Sequence, residues 1–399
     1  HGTVLTYDRD AGTVLTTEVG SEPASLTRVD DTLFVTLRAD GRVARVANGM
    51  VTATADVGSE PLGIVARPDG DRLYVAVSQE NVVLELDPET LEVLARIPTV
   101  AEPRFLALDP DGLTLYVASA RGPGALQRID LLSLVGRSFQ FPETHRKGDR
   151  IPMVPRVTGE LAIRRTDQGT VQLAVPTLYA DTRTPIREFA TLDEVIEVSI
   201  EPPLEAPPEV PDGYGRSSSS SSEPSTPDVV TIEASRMVGS AVVFDLNASR
   251  RTFDKRAVPL TVEYQRGDQV DRAGSYVTGV AFGPGNELVG ALQATDQLVH
   301  VALSSEVRGD FDFSYADGGF VPRAGSVSLA PDAVRSVLWT TDDQVFAIGE
   351  HDHVLSEHQA ASMRQRTQAS VEWGLQARMA PNAAHVLAPV DLDPELVAG

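Results

Sequence analysis

The sequence predicts an all-β fold, a seven-bladed β-propeller closed by its own ends. Three observations carry this: a repeat near forty residues, short alternating strands inside each repeat, and unpartnered strands at both ends. The segment Glu60-Pro61-Leu62-Gly63 through Leu73-Tyr74-Val75-Ala76 returns as Glu102-Pro103-Arg104-Phe105 through Leu115-Tyr116-Val117-Ala118. Pro, Asp-Gly and Tyr-Val hold the same offsets in both copies. Each copy is one antiparallel sheet that cannot bury its apolar faces alone, so stacked copies must bury one another.

Gly20-Ser21-Glu22-Pro23 matches Gly58-Ser59-Glu60-Pro61, which places blade one at about 20–57, blade two at 58–99 and blade three at 100–141. Blade two reads as Gly63–Ala66, Arg72–Val77, Val82–Asp87 and Glu92–Ile97, with turns at Pro68-Asp69-Gly70 and Asp87-Pro88-Glu89-Thr90. The repeat then weakens. Leu161–Arg165, Val171–Pro176, Val229–Ala234 and Ala241–Asp245 read as blade four. Blade five starts at Tyr276–Phe282 and turns at Pro284-Gly285. Blade six starts at Gly325–Leu329 and turns at Pro331-Asp332.

Two strands near the C-terminus, Leu375–Met379 and His385–Pro389, lack downstream partners. Thr3–Asp8 and Thr13–Val19, joined by Arg9–Gly12, lack upstream ones. Pairing the ends makes a seventh blade and removes the exposed sheet edges. Eight blades would follow if 142–157 or 246–272 hid strands; six would leave a repeat unused. Residues 1–399 thus form a single propeller domain with two long loop insertions, a basic one at 142–157 and an acidic one at 183–228. From Glu188 to Asp212 there are eight acidic residues and no Lys or Arg; prolines and the tract Ser217–Ser222 follow. Such a segment cannot bury enough surface to offset its ordering entropy.

The formal charge of -23 makes nucleic acid and anionic membranes poor partners. No apolar run approaches the roughly 18 residues of a membrane span. The first residues show no leader pattern, so an exported protein would correspond here to a mature chain or a fragment. Absence of cysteine excludes disulfides, thiolate metal sites and Cys-x-x-Cys-His haem attachment within this sequence. Together with the acidic surface and the Ser/Pro tract it favours an extracytoplasmic location.

Candidate sites are few. His351, His353 and His358 form the densest histidine group, with His351 and His353 on one face if the segment is a strand, as a divalent metal would want. The same segment reads as an exposed polar turn in the outer part of blade six. His1 could chelate copper through its amine and imidazole if it is a mature terminus. Arg137, Arg146, Lys147 and Arg150, with His145 and Arg156, make the one basic cluster, fit either for solvent or for an acidic partner. No nucleophile–base pair, phosphate loop or EF-hand is present. Innermost strands such as Leu62–Ala66, Phe105–Leu108, Val277–Phe282 and Val327–Leu329 offer mainly apolar and small residues.

The Glu-Pro, Pro-Asp-Gly and Leu-Tyr-Val-Ala repeats resemble the YVTN-type bacterial propeller family, over blades one to three above all. Val175–Thr182, Ser275–Gly279 and Leu392–Gly399 are similar to the propeller portion of secreted proteins that fuse a propeller to a MauG-like, di-haem cytochrome c peroxidase-type domain. That resemblance implies export and a c-type cytochrome as redox partner. Any haem c would lie in a separate segment, and none of that family's catalytic residues carry over. The expected function is a non-catalytic, protein-binding or scaffold propeller. The alternatives are a metal-dependent, lactonase-like propeller enzyme, which needs polar groups converging on a metal in the channel, and a structural subunit of an extracellular assembly.

Overall fold

The computed structural model describes residues 2–8, 11–119, 121, 125–139, 141, 144–146, 154–180, 195–199, 229–233, 237–246, 254–260, 262–266, 269–273, 276–293, 296–303, 311–313, 324–329, 334–340, 344–349, 354–359 and 364–370. It opens with an antiparallel hairpin, β1 (Gly2–Asp8) and β2 (Thr13–Gly20). Three four-stranded antiparallel sheets follow in chain order. Blade one is β3 (Pro23–Val29), β4 (Thr32–Leu37), β5 (Arg42–Ala47) and β6 (Met50–Asp56). Blade two is β7 (Pro61–Ala66), β8 (Leu73–Val77), β9 (Val82–Leu86) and β10 (Val93–Pro98). Blade three is β11 (Pro103–Leu108), β12 (Thr114–Ser119), β13 (Ala125–Asp130) and β14 (Val135–Phe139).

After β15 (Thr144–Arg146), blade four begins with β16 (Val154–Val157) and β17 (Ala162–Arg165), which share one long partner, β18 (Val171–Ala180). The hairpin of β19 (Val195–Ser199) and β20 (Val229–Glu233) comes next. Blade four resumes with β21 (Met237–Leu246) and β22 (Asp254–Pro259). The hairpin β23 (Val262–Arg266) and β24 (Gln269–Ala273) leads to blade five: β25 (Val277–Phe282), β26 (Glu287–Leu292) and β27 (Gln297–Ala302). Next, β28 (Phe311–Phe313) pairs in parallel with β15, and β29 (Ala324–Leu329) completes blade five beside β27. Blade six is β30 (Val334–Trp339), β31 (Gln344–Gly349), β32 (Val354–Gln359) and β33 (Arg364–Ser370).

Sequence dictates the order of strands within a blade through polarity. The second strands β8 and β12 are buried at every residue, so they read as continuous apolar runs. The fourth strands β6, β10 and β14 are mostly exposed and carry the polar residues. The first hairpin closes at Gly70 (φ 74°) in blade two and Gly112 (φ 68°) in blade three, where a side chain would be strained.

The core consists of apolar layers between successive sheets. Tyr74, Ala76 and Ile97 of blade two pack with Leu106, Leu115 and Ile129 of blade three. Tyr116 and Leu126 of blade three pack with Leu173, Tyr179 and Phe244 of blade four. Similar layers join blades one and two, four and five, and five and six. Val4 and Val19 of the first hairpin cover Leu33, Val35 and Leu37 of blade one.

The described residues form six blades, not seven. The first hairpin stands as a two-stranded sheet, and the strands at 375–379 and 385–389 that would complete it lie outside the described residues. Two assignments change. Residues 325–329 lie in β29, the outermost strand of blade five, and blade six begins at Val334. An alternating pattern followed by Pro-Asp reads alike for an inner and an outer strand. Residues 229–233 form β20 and pair with β19 rather than joining blade four. The 142–157 segment is not wholly a loop: it contains β15 and β16, the latter part of blade four.

The chain divides into two compact units, 1–181 with 237–399, and 182–236. In the smaller unit the described structure is the β19–β20 hairpin. In the larger, β18 and β21 stay in register through ten residue pairs, from Val171↔Leu246 to Ala180↔Met237. No helix among the described residues is long and apolar enough to cross a membrane.

Candidate functional site

The first strands line up side by side: β3 packs on β7, β7 on β11, β11 on β17, β17 on β25, and β25 on β30. Each is bulged near its start. Pro23 faces Leu37 but Ser25 faces Thr36, leaving Ala24 unpaired. The same single extra residue occurs between Pro61 and Ile64, Pro103 and Phe105, Val277 and Gly279, and Val334 and Ser336. Arg104, Thr278 and Arg335 are the extra residues in blades three, five and six. A bulge re-aims side chains and terminates regular pairing, which suits a binding site.

Blade four departs from this pattern. Val157 faces Thr177 and Ala162 faces Ala174, so residues 158–161 stand opposite two residues rather than four. Three contacts hold this longer bulge. The Thr158 amide donates to the Pro176 carbonyl at 3.1 Å, and its hydroxyl donates to the Val277 carbonyl of blade five. Gly159 lies so close to the Thr278 carbonyl that an added Cβ would sit 1.9 Å from the oxygen. Neighbouring bulges are clipped in the same way: the Thr278 hydroxyl donates to the Val334 carbonyl at 2.7 Å, and the Thr36 hydroxyl to the Leu62 carbonyl at 2.6 Å.

The bulge carries Glu160. The Arg335 guanidinium of blade six, and to a lesser degree the Ser25 side chain of blade one, favour its charged form. Glu160 is half-buried. Burial pushes its pKa up to about 7, against the smaller opposing pull of Arg335 and Ser25.

This shift has a sign that can be measured. A carboxyl that binds its proton more tightly folded than unfolded makes stability fall as pH rises, here between about 4.3 and 7. Glu160→Gln is expected to remove that slope. At pH 8 it should stabilise the protein by about 2 kcal/mol, part of the full linkage value because the group is partly solvated. Denaturant midpoints of both proteins at pH 5 and pH 8 give the answer; parallel pH profiles would contradict the buried carboxyl.

Other carboxylates at the starts of first strands are neutralised directly. Glu22 pairs with Arg38 at 2.7 Å and Glu102 with Arg121 at 3.0 Å. Glu60 accepts from the Gln79 amide at 2.9 Å. Among the described residues no ion pair within 4.0 Å joins Glu160 to Arg335.

The residues singled out from sequence lie elsewhere. Arg137 is exposed on β14, the outermost strand of blade three, and Arg156 is exposed on β16. Arg146 ends β15. Lys147, Arg150, His1, His351 and His353 lie outside the described residues. His358, expected in an exposed turn, is instead fully buried on β32, its Nε2 2.7 Å from the Ser356 hydroxyl. Among the described residues no three His, Asp or Glu side chains are grouped as a metal would need. Glu160, Ser25 and Arg335 are polar positions in the first-strand ring that the sequence reading did not single out. Strand periodicity does not mark them, because all three sit at or beside bulges, where the inward and outward alternation is interrupted.

No protein-family model matches this chain, and no curated protein sequence matches it. Among solved structures, the fold is similar to that of Kuenenia stuttgartiensis hydrazine synthase, with a TM-score of 0.62 over 90% of each chain at 17% sequence identity. A functionally unknown protein from Desulfotomaculum acetoxidans DSM 771 aligns over 89% of this chain and 84% of its own, with a TM-score of 0.49 and 8% identity. The first likeness supports the propeller arrangement of small sheets.

Proposed function

We propose that this chain is a non-catalytic propeller that works outside the cytoplasm as a binding scaffold, with a c-type cytochrome as its protein partner. The observation that carries the scaffold reading is the unbroken β18–β21 ladder. Ten pairs persist on the propeller side although residues 181–236 intervene in the chain. A blade that keeps its pairing across so long an excursion does not need it for folding, which leaves the inserted unit free to serve binding. The absence of cysteine and the resemblance to propellers fused to di-haem domains support a haem carried by the partner or by a separate segment. Arg137, Arg146, Lys147 and Arg150 supply positive charge for an acidic partner in a chain otherwise strongly negative.

Association of the full chain with a soluble acidic c-type cytochrome tests this by surface plasmon resonance at 20 mM and 150 mM salt. Replacing the four basic residues by Gln is expected to slow association about tenfold at low salt, and the difference should shrink at physiological ionic strength. Excising 182–236 with a short Gly/Ser bridge should leave circular dichroism and melting temperature nearly unchanged, since loop length alone alters stability by under about 1 kcal/mol. Association rates indifferent both to the four substitutions and to salt would overturn the proposed docking.

A further inference from the structure

We infer that the outer edge of blade three takes an extended acidic segment of a partner protein as a further strand, its carboxylates on Arg128 and Arg137 and its apolar side chains on Leu132, Leu134 and Val135. The inference rests on the scaffold reading proposed above, but not on the partner being a cytochrome.

Two like charges face each other across this edge. Arg128 of β13 and Arg137 of β14 stand directly opposite one another. Like charges so placed destabilise a strand pair. Arg128 is half-buried and Arg137 exposed, and among the described residues neither guanidinium has a hydrogen bond or an ion pair within 4.0 Å. In blade one the charges facing across the same two strands are opposite, and Arg42 closes on Asp56 at 2.7 Å. In blade two Arg96 of β10 is bound by Glu80. Asp130 lies on the same face as Arg128, but its Oδ1 is engaged by the turn. It accepts from the Leu132 amide at 3.1 Å and from the Ser133 amide and hydroxyl at 2.9 Å. The Ser133 amide is the main pull holding its pKa below the carboxylate range, and Arg128 the least. A carboxylate brought between Arg128 and Arg137 satisfies both through charge-assisted hydrogen bonds.

Beside the arginines the turn from β13 to β14 holds apolar side chains in water. In blade two the matching turn is Asp87-Pro88-Glu89-Thr90-Leu91, and Leu91 is buried between blades one and two. In blade three Asp130-Leu131-Leu132-Ser133-Leu134 keeps the same backbone. The Leu134 amide donates to the Asp130 carbonyl at 2.7 Å, as Leu91 does to Asp87 at 2.8 Å, and φ is 57° against 61°. Yet Leu132 is 81% exposed, Val135 56% and Leu134 41%. Side chains presented on a turn that Asp130 already fixes lose little freedom on docking. Among the described residues β14 pairs with β13 alone, and its residues 135–138 are exposed, so its outer backbone groups are open to another strand. An added strand gains main-chain hydrogen bonds there, and its alternate side chains reach Val135 and Arg137, which share a face. This selects an acidic peptide over a free anion, which would use the arginines and leave the leucines in water.

The probe is a fluorescein-labelled peptide, Leu-Thr-Glu-Thr-Glu-Thr-Leu, which reads alike in both directions and puts Leu and Glu on one face of a strand. Its anisotropy is followed on titration with the full chain at pH 7 and low salt. Binding should be saturable, and hydrogen exchange at residues 135–139 should slow in the complex. Arg137→Glu should weaken binding at least tenfold and Leu132→Ser about threefold, both at an unchanged melting temperature. Peptides with Lys for both Glu, or with Pro for the central Thr, should bind at least tenfold more weakly. Equal binding of the Pro peptide, or free glutamate competing as well as the peptide, would make this a plain anion site and overturn the proposal. Absence of saturable binding, or binding indifferent to Arg137→Glu or to Leu132→Ser, would do the same. The peptide carries no haem and Leu132→Ser leaves the four basic residues in place, so this result is separate from that of the cytochrome experiment.

Discussion

Deleting residues 1–20 is expected to lower the melting temperature by about 10 °C or more and to make the protein prone to aggregate. The hairpin β1–β2 is small, but Val4 and Val19 lie in one apolar layer with Leu33, Val35, Leu37, Ala44 and Val46. Thr17 adds a hydrogen bond to the Gly49 carbonyl at 3.1 Å. Loss of the hairpin removes two buried valines and returns the face of blade one to water. At about 25 cal/mol per Å² of apolar surface, this costs several kcal/mol, and each kcal/mol is worth roughly 2–4 °C in a domain of this size. The uncovered blade also becomes a template for other chains. Scanning calorimetry of the truncated protein decides the matter; an unchanged transition would mean that the hairpin is no part of the propeller's cooperative unit. A second deletion, of residues 371–399, tests closure. If the two ends build one sheet, the double deletion should cost much less than the sum of the single ones.

Gly159→Ala should be the most damaging single substitution in the inner ring. Its Cβ would stand 1.9 Å from the carbonyl oxygen of Thr278 and 2.5 Å from the carbonyl carbon. These are backbone atoms of β25, so relief requires moving blade five against blade four. Overpacking of this kind costs about 3 kcal/mol. The contrast is Gly285→Ala, where φ is +71° but nothing lies within 4 Å of the added carbon; about 1 kcal/mol is expected there. Because the bulge also carries Glu160, Gly159→Ala should flatten the pH dependence of stability between pH 5 and 8. Chemical denaturation of both variants separates the two costs, and equal small losses would mean that the blades are not in close contact at Gly159.

The repeats explain which parts of the fold were legible. In blades one to three, Glu-Pro, Pro-Asp-Gly and Leu-Tyr-Val mark the start, turn and second strand, and the strands lie where those marks predict. The marks are local chemistry: Gly70 and Gly112 take left-handed turns, and the apolar runs at Leu73–Val77 and Leu115–Ala118 must be buried on both faces. Where the marks fade, pattern alone misleads. The alternating run at 325–329 suits an inner strand equally well, and only its pairing with β27 makes it the outer strand of blade five. Val229–Glu233 has the composition of a blade strand, yet it finds its partner in Val195–Ser199.

By itself, then, the sequence determined the all-β class, the forty-residue unit and the strand boundaries of the first three blades, because each follows from side-chain period and turn chemistry within one repeat. The tertiary structure decided the six described blades, the membership of β20 and β29, the burial of His358, and the burial that raises the proton affinity of Glu160. These depend on which edge a strand pairs with and on register shifts at bulges. A single inserted residue reverses the side-chain alternation beyond it, and which side chains of different blades lie near one another is set by stacking of whole sheets, to which no local pattern responds.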